Sequence, residues 1–194
     1  MEFMINGDLK NYLRKFTVAH ENDAEKNTIS VSSLLCIVAQ IVDGMNYLAS
    51  LNLVHRDLAA RNCSVSANRT IKIADFGLTK NLHYAVNRSN TALPLRHIPY
   101  ESFFGKFSEK SDVWSFGITV WEIFTLGRPN PFSHLRNEDL VKDAMKGPRR
   151  KLLQKPANCP NDVYAMMLMC WKHTPNDRPD FKRLHEIVCS IQKA

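Results

Sequence analysis

The chain has 194 residues, 44% of them hydrophobic and 23% charged. That balance excludes a collagen-like, low-complexity or fully disordered chain, and the length suits one domain that buries its core without covalent staples. The 26 Lys and Arg against 19 Asp and Glu give a formal charge of +7, but the basic residues are scattered and only Arg149-Arg150-Lys151 forms a run. A solvated basic surface is the simpler reading, and nucleic-acid binding has no motif to support it. The cysteines Cys36, Cys63, Cys159, Cys170 and Cys189 form no C-x-x-C pair and no zinc-finger spacing, which reads as reduced thiols. The most apolar long stretch, Ile29 to Val42, is too short to span a bilayer, and no signal peptide is expected at the start.

In chain order, a short helix is expected to begin near Gly7-Asp8, followed by a polar exposed loop over Thr17 to Asn27, bounded at residues 17–29. Leu34, Ile37, Val38, Ile41, Met45 and Leu48 recur at three- and four-residue steps and predict one long helix from Val31 to Ser50. Leu51 to Leu53 and Thr70 to Ala74 read as short strands flanking a loop over residues 54–68. Ser111 to Thr125 is apolar nearly all round, the pattern of a buried axial helix, and stops at Gly127 and Pro129. Further helices fit Glu138 to Lys146, Asp162 to Lys172 and Pro179 to Ile191. The expected fold class is mainly α, a helical bundle with a few short strands near residues 50–80.

One constellation carries chemistry. His55-Arg56-Asp57-Leu58-Ala59-Ala60-Arg61-Asn62, followed by Asp75-Phe76-Gly77, matches the protein-kinase pair H-R-D-x-x-x-x-N and D-F-G. Phosphoryl transfer needs an oriented hydroxyl and a screened phosphate charge. Asp57 suits the first task, as a carboxylate ionised at neutral pH. Asn62 and Asp75 offer the hard oxygens that Mg²⁺ prefers. His55 reads as a core histidine holding the loop, and Phe76 as a packing residue.

With Ala59-Ala60-Arg61-Asn62 after His55-Arg56-Asp57, and the tail Asn158-Cys159-Pro160, Cys170-Trp171 and Arg178-Pro179, the chain resembles the C-terminal lobe of a receptor protein-tyrosine kinase. Met1-Glu2-Phe3-Met4, Asn6-Gly7-Asp8-Leu9 and Gly105-Lys106-Phe107 look closest to the discoidin domain receptors. The resemblance implies a C-lobe without the N-lobe sheet: a hinge at residues 1–8, a catalytic loop at 54–68 and an activation segment at 75–101. It implies ATP with Mg²⁺, or Mn²⁺ as an alternative. Glu2 and Met4 would bond adenine through the backbone, Asp8 would sit near the ribose, and Ser64 would lie under adenine, where an apolar residue is usual. Arg61 would lie beside the substrate phenol, on a platform shaped by Pro94. Tyr84 is the tyrosine left in a shortened activation segment; phosphorylated, it would pair with Arg56 or Arg88. Glu101 would pair with Arg178, and Asp112 would brace the catalytic loop. His97 stands where such kinases usually have Trp.

The resemblance further implies protein tyrosine substrates, a dimeric parent receptor, and a place on the cytoplasmic side of the plasma membrane reached only through that parent. No glycine-rich loop, Val-Ala-Ile-Lys-like strand or partnering helix Glu occurs in the 194 residues. The chain alone is therefore expected to hold half a nucleotide site and to be silent. A non-catalytic, pseudokinase-like binding or scaffold module is the alternative, to which Ser64, His97 and the short activation segment point.

Overall fold

The periodic stripe from Leu34 to Leu48 folds as a single 20-residue helix in the computed structural model, which describes residues 4–18, 28–81 and 93–193. This helix, α2 (Val31–Ser50), follows α1 (Leu9–Leu13) and opens on Ser30, whose hydroxyl accepts from Ser33 N–H at 3.1 Å. It extends beyond the apolar stretch read from the sequence and is, by length and composition alone, long enough to cross a membrane. Here its stripe packs against α3 (Glu109–Phe124), α6 (Phe181–Lys193) and the strand at Ile71–Ile73.

Helix α3 is the axis of the lobe, with Ser111 through Phe124 all buried. It starts two residues before the expected position because Ser108 and Ser111 form a reciprocal capping box. Phe116 meets Phe181 edge-to-face at 5.9 Å. Each large apolar side chain buried along α3 contributes about 1.5–3 kcal/mol. Past its end, Gly127 has φ +67, and a Cβ there would lie 3.0 Å from the Lys10 carbonyl. A glycine thus lets α1 dock on the α3 terminus. Helices α4 (Asn137–Ala144) and α5 (Asn161–Cys170) complete the bundle, α5 against α3 and α6.

The strands differ from expectation in two places. Thr17–Val18 (β1) and Thr28–Ile29 (β2) pair in parallel, and Ile29 is buried, so both ends of the expected exposed loop are strands. Residues 19–27 lie outside the described residues, as do Glu2 and Tyr84. The strands near residue 53 and residue 71 do not pair with each other. Instead β3 (Leu53–Val54) pairs antiparallel with β6 (Lys80–Asn81), and β5 (Ile71–Ile73) pairs with β4 (Cys63–Val65), a strand inside the stretch read as loop. The mainly helical class holds, with three two-stranded ladders among the described residues.

Candidate active site

At its start, the loop from His55 to Asn62 hangs from α3 by two bonds to Asp112. Asp112 Oδ2 accepts from His55 N–H at 2.7 Å and Oδ1 from Arg56 N–H at 2.9 Å. Burial pushes the Asp112 carboxyl up to about 7, against these two donors and the Arg56 guanidinium, which favour the charged form. The bonds hold Arg56 at φ +71, a conformation a non-glycine residue adopts only when its surroundings impose it.

His55 is fully buried and locked by both ring nitrogens. Nε2 donates to Ala74 O at 3.1 Å, and Nδ1 accepts from Asp57 N–H at 3.3 Å. Burial lowers its pKa, outweighing Ala74 O and the carboxylates of Asp57 and Asp75, both near enough to favour its charged form. A neutral imidazole therefore ties the loop to the Ala74-Asp75 segment.

A 3₁₀ turn at Ala60–Asn62 presents the next two groups. Arg61 Nη2 bonds Asp57 Oδ1, and Asn62 Nδ2 donates to Asp57 O at 2.6 Å. Asn62 O accepts from Ala74 N–H at 2.8 Å, directly before Asp75. Asp75, at φ +61, is exposed and caps the turn Phe76–Leu78 through Gly77 N–H. Asp57, Arg61, Asn62 and Asp75 are thereby gathered around one hydrogen-bonded frame. With its amide N–H on Asp57 O, Asn62 keeps Oδ1 as a hard donor, and its carbonyl bonds the N–H of Ala74, the residue before the exposed Asp75. That set fits Mg²⁺, which binds through one or two protein oxygens and takes waters and phosphate oxygens for the rest. Phe76 packs its ring 5.4 Å from His55 yet is 50% exposed, so only one face is covered, less than its reading as a packing residue implied.

In the stretch expected to be the hinge, Asn6 N–H bonds Val65 O and Val65 N–H bonds Gly7 O, which seats residues 6–8 beside β4 and pairs Asp8 with Ser64. Met4 O accepts from Gly7 N–H at 3.0 Å. Asp8, expected near the ribose, uses both carboxylate oxygens on Asn11, at 2.9 and 2.8 Å, and is the N-cap of α1. Arg56 lays its guanidinium 4.9 Å from the Phe107 ring, with Nε buried and unbonded.

On the opposite side a cleft of about 320 Å³ is lined by Lys10, Arg61, Pro94, Arg96, His97 and Asn130 among others. Elsewhere in the lobe, Arg178 is buried and all five of its donors are engaged. Glu101 takes two at 2.6 and 3.1 Å, and the carbonyls of Lys110, Lys172 and His173 take the others. Two groups escaped the sequence reading. Glu122 and Lys10 meet at 3.5 Å beneath the catalytic loop. The signal was an acid standing between Trp121 and Ile123 in a run otherwise apolar.

The family model for protein tyrosine and serine/threonine kinases matches residues 1–188. Over 160 positions the chain is 48% identical to a class II receptor tyrosine kinase of Geodia cydonium, covering 80% of this chain and 26% of that protein. It is 42% identical over 204 positions to the epithelial discoidin domain-containing receptor 1 of Rattus norvegicus, covering 96% of the chain and 22% of the receptor. It is 40% identical over 208 positions to the NT-3 growth factor receptor of Macaca fascicularis, covering 100% and 24%. The chain spans about a quarter of the length of these curated relatives. With the H-R-D and D-F-G segments bonded into one frame, the chain belongs to the protein tyrosine and serine/threonine kinase family.

Proposed function

We propose that the chain is the C-terminal lobe of a receptor protein-tyrosine kinase that transfers the γ-phosphoryl group of ATP to tyrosines of protein substrates. The observation that carries this reading is the frame joining Asp57, Asn62 and the Ala74-Asp75 segment. Asp57 orients the phenol and accepts its proton; the bond from Arg61 aims the carboxylate and sets its charge beside a cation. Asn62 and Asp75 would hold Mg²⁺, which would supply screening of the phosphate charge. Met4 and Asp8 border the adenosine, with Ser64 beneath it. The small Ser64 side chain gives up apolar contact worth on the order of 1 kcal/mol of nucleotide affinity.

The chain's place is the cytoplasmic face of the plasma membrane, within a dimeric parent receptor. The 194 residues alone do not turn over, since the frame covers the phosphates from one side only. A scaffold module is the competing reading, favoured by Ser64 at the Asp8 bridge. The three intact oxygen donors, for which a scaffold has no chemical use, weigh against it.

The test uses the full-length parent and the 194-residue chain side by side, with Mg-ATP and a tyrosine-containing copolymer. The parent should form phosphotyrosine and lose it with Asp57→Asn, while the chain forms none. A parent whose turnover survives Asp57→Asn refutes the catalytic reading. Turnover by the chain alone, lost on Asp57→Asn, refutes the half-site.

A further inference from the structure

A buried carboxylate is costly unless cations and hydrogen-bond donors surround it. Glu122, two residues before the end of α3, is fully buried, and three other elements send a polar group to it. Its Oε2 accepts from Ala60 N–H at 2.9 Å and lies 3.2 Å from Nε2 of His97, on the segment lining the substrate-side cleft. Its Oε1 lies 3.5 Å from Nζ of Lys10 on α1. Burial acts to raise the Glu122 pKa, but His97, the Ala60 N–H and Lys10 outweigh it and hold the group down at about 2.

The Ala60 N–H explains why this acid is where it is. Ala60 opens the 3₁₀ turn, and the first N–H groups of a helical turn have no partner within it. The residue before it, Ala59, occupies the cap position and has no side-chain oxygen to supply one. Glu122 supplies the cap from 62 positions away. The two residues that follow are Arg61 and Asn62, each bonded to Asp57. Releasing Ala60 would loosen the start of the turn that carries both.

We propose that Glu122 is a positioning residue for phosphoryl transfer, its carboxylate capping the turn Ala60–Asn62, with His97 and Lys10 as its basic partners. What the turn does rests on the kinase reading above; the test below reads the turn directly and needs no turnover. In the full-length parent, whose kinase activity is assayed separately, a failure of that activity leaves the exchange result standing. A failure of the exchange result leaves the activity standing.

The experiment is amide hydrogen exchange and ¹⁵N NMR on the 194-residue chain, comparing wild type with Glu122→Gln, His97→Gln and the double variant. Glutamine keeps an oxygen for Ala60 but removes the charge, and charge-assisted bonds are about twice as strong as neutral ones. Exchange at Ala60, Arg61 and Asn62 should accelerate about tenfold in Glu122→Gln, with α5 and α6 unchanged. The Asn62 side-chain amide resonances should shift while the amide resonances of α5 and α6 stay in place, a pattern that bulk loss of packing does not produce. His97→Gln should give a smaller acceleration at the same three amides, and the double variant should add little to Glu122→Gln. Unchanged exchange at Ala60, or acceleration spread evenly over all helices, overturns the proposal. Should Glu122→Gln fail to fold, His97→Gln and Lys10→Met decide it: no local change at Ala60 in either variant overturns it.

Discussion

The α3 side of this lobe and the side that carries Asp75 and Phe76 treat polar groups in opposite ways. Under α3, Asp112, Glu122 and Arg178 are buried and their partners are supplied by backbone and side chains from distant segments. On the other side, Asp75 is exposed and Phe76 half covered, and Ile5 is 64% exposed. The buried acids that shape the loop take their partners from within the chain, while the Asp75 side chain is left open to solvent. The buried groups thereby fix where the loop sits, and the exposed Asp75 faces solvent.

The largest effect expected from that division is at Arg178. Arg178→Met leaves Glu101 and three carbonyls without a donor and should cost about 3–5 kcal/mol in urea unfolding. A loss below about 1 kcal/mol would erase the distinction between the two sides. Next is Asp112→Ala, which orphans the His55 and Arg56 N–H groups; it should cost about 2–4 kcal/mol by the same measurement. Then comes pH. The Glu122 pKa is held at about 2, below its ordinary 4.5, so its contribution is present above the ordinary value and lost as pH falls towards 2. The stability gap between wild type and Glu122→Gln should shrink by about 2 kcal/mol between about pH 6 and about pH 3. Asp112, raised to about 7, works in the opposite sense: against Asp112→Asn, the wild type gains as pH falls from about 7 to about 4. Smallest is the chemical face. Asp57→Asn removes only an i,i+4 pair with Arg61 and should change unfolding by about 0.5 kcal/mol or less, although it abolishes turnover in the full-length parent. A larger loss would mean that Asp57 belongs to the scaffold.

Much of this was legible beforehand, for identifiable reasons. Helix α2 was readable end to end because only one face is buried, so the 3.6 period shows. Helix α3 is buried all round and has no period, and its start was misplaced because the capping box closes with Ser111 instead of the usual Glu or Gln. Strand β4 was missed because Cys63-Ser64-Val65 is short and its partner lies across a turn. The reactive loop was visible because its residue types are dictated by phosphate and metal chemistry. Its supports were less visible: a carboxylate that caps a turn 62 positions away is a tertiary fact, and only its apolar neighbours Trp121 and Ile123 marked it.

The five engaged donors of Arg178 also bear on the order of assembly. Glu101 lies 77 positions upstream and Lys110 lies 68, so the guanidinium can shed its hydration shell only after nearly the whole second half of the chain is in place. Contacts of such long sequence separation form slowly, since the intervening loop must close first. On the ribosome, Glu101 and the apolar surface of α3 would wait for the last helix to emerge. That interval is when a nascent lobe of this kind is most exposed to aggregation and most dependent on chaperones.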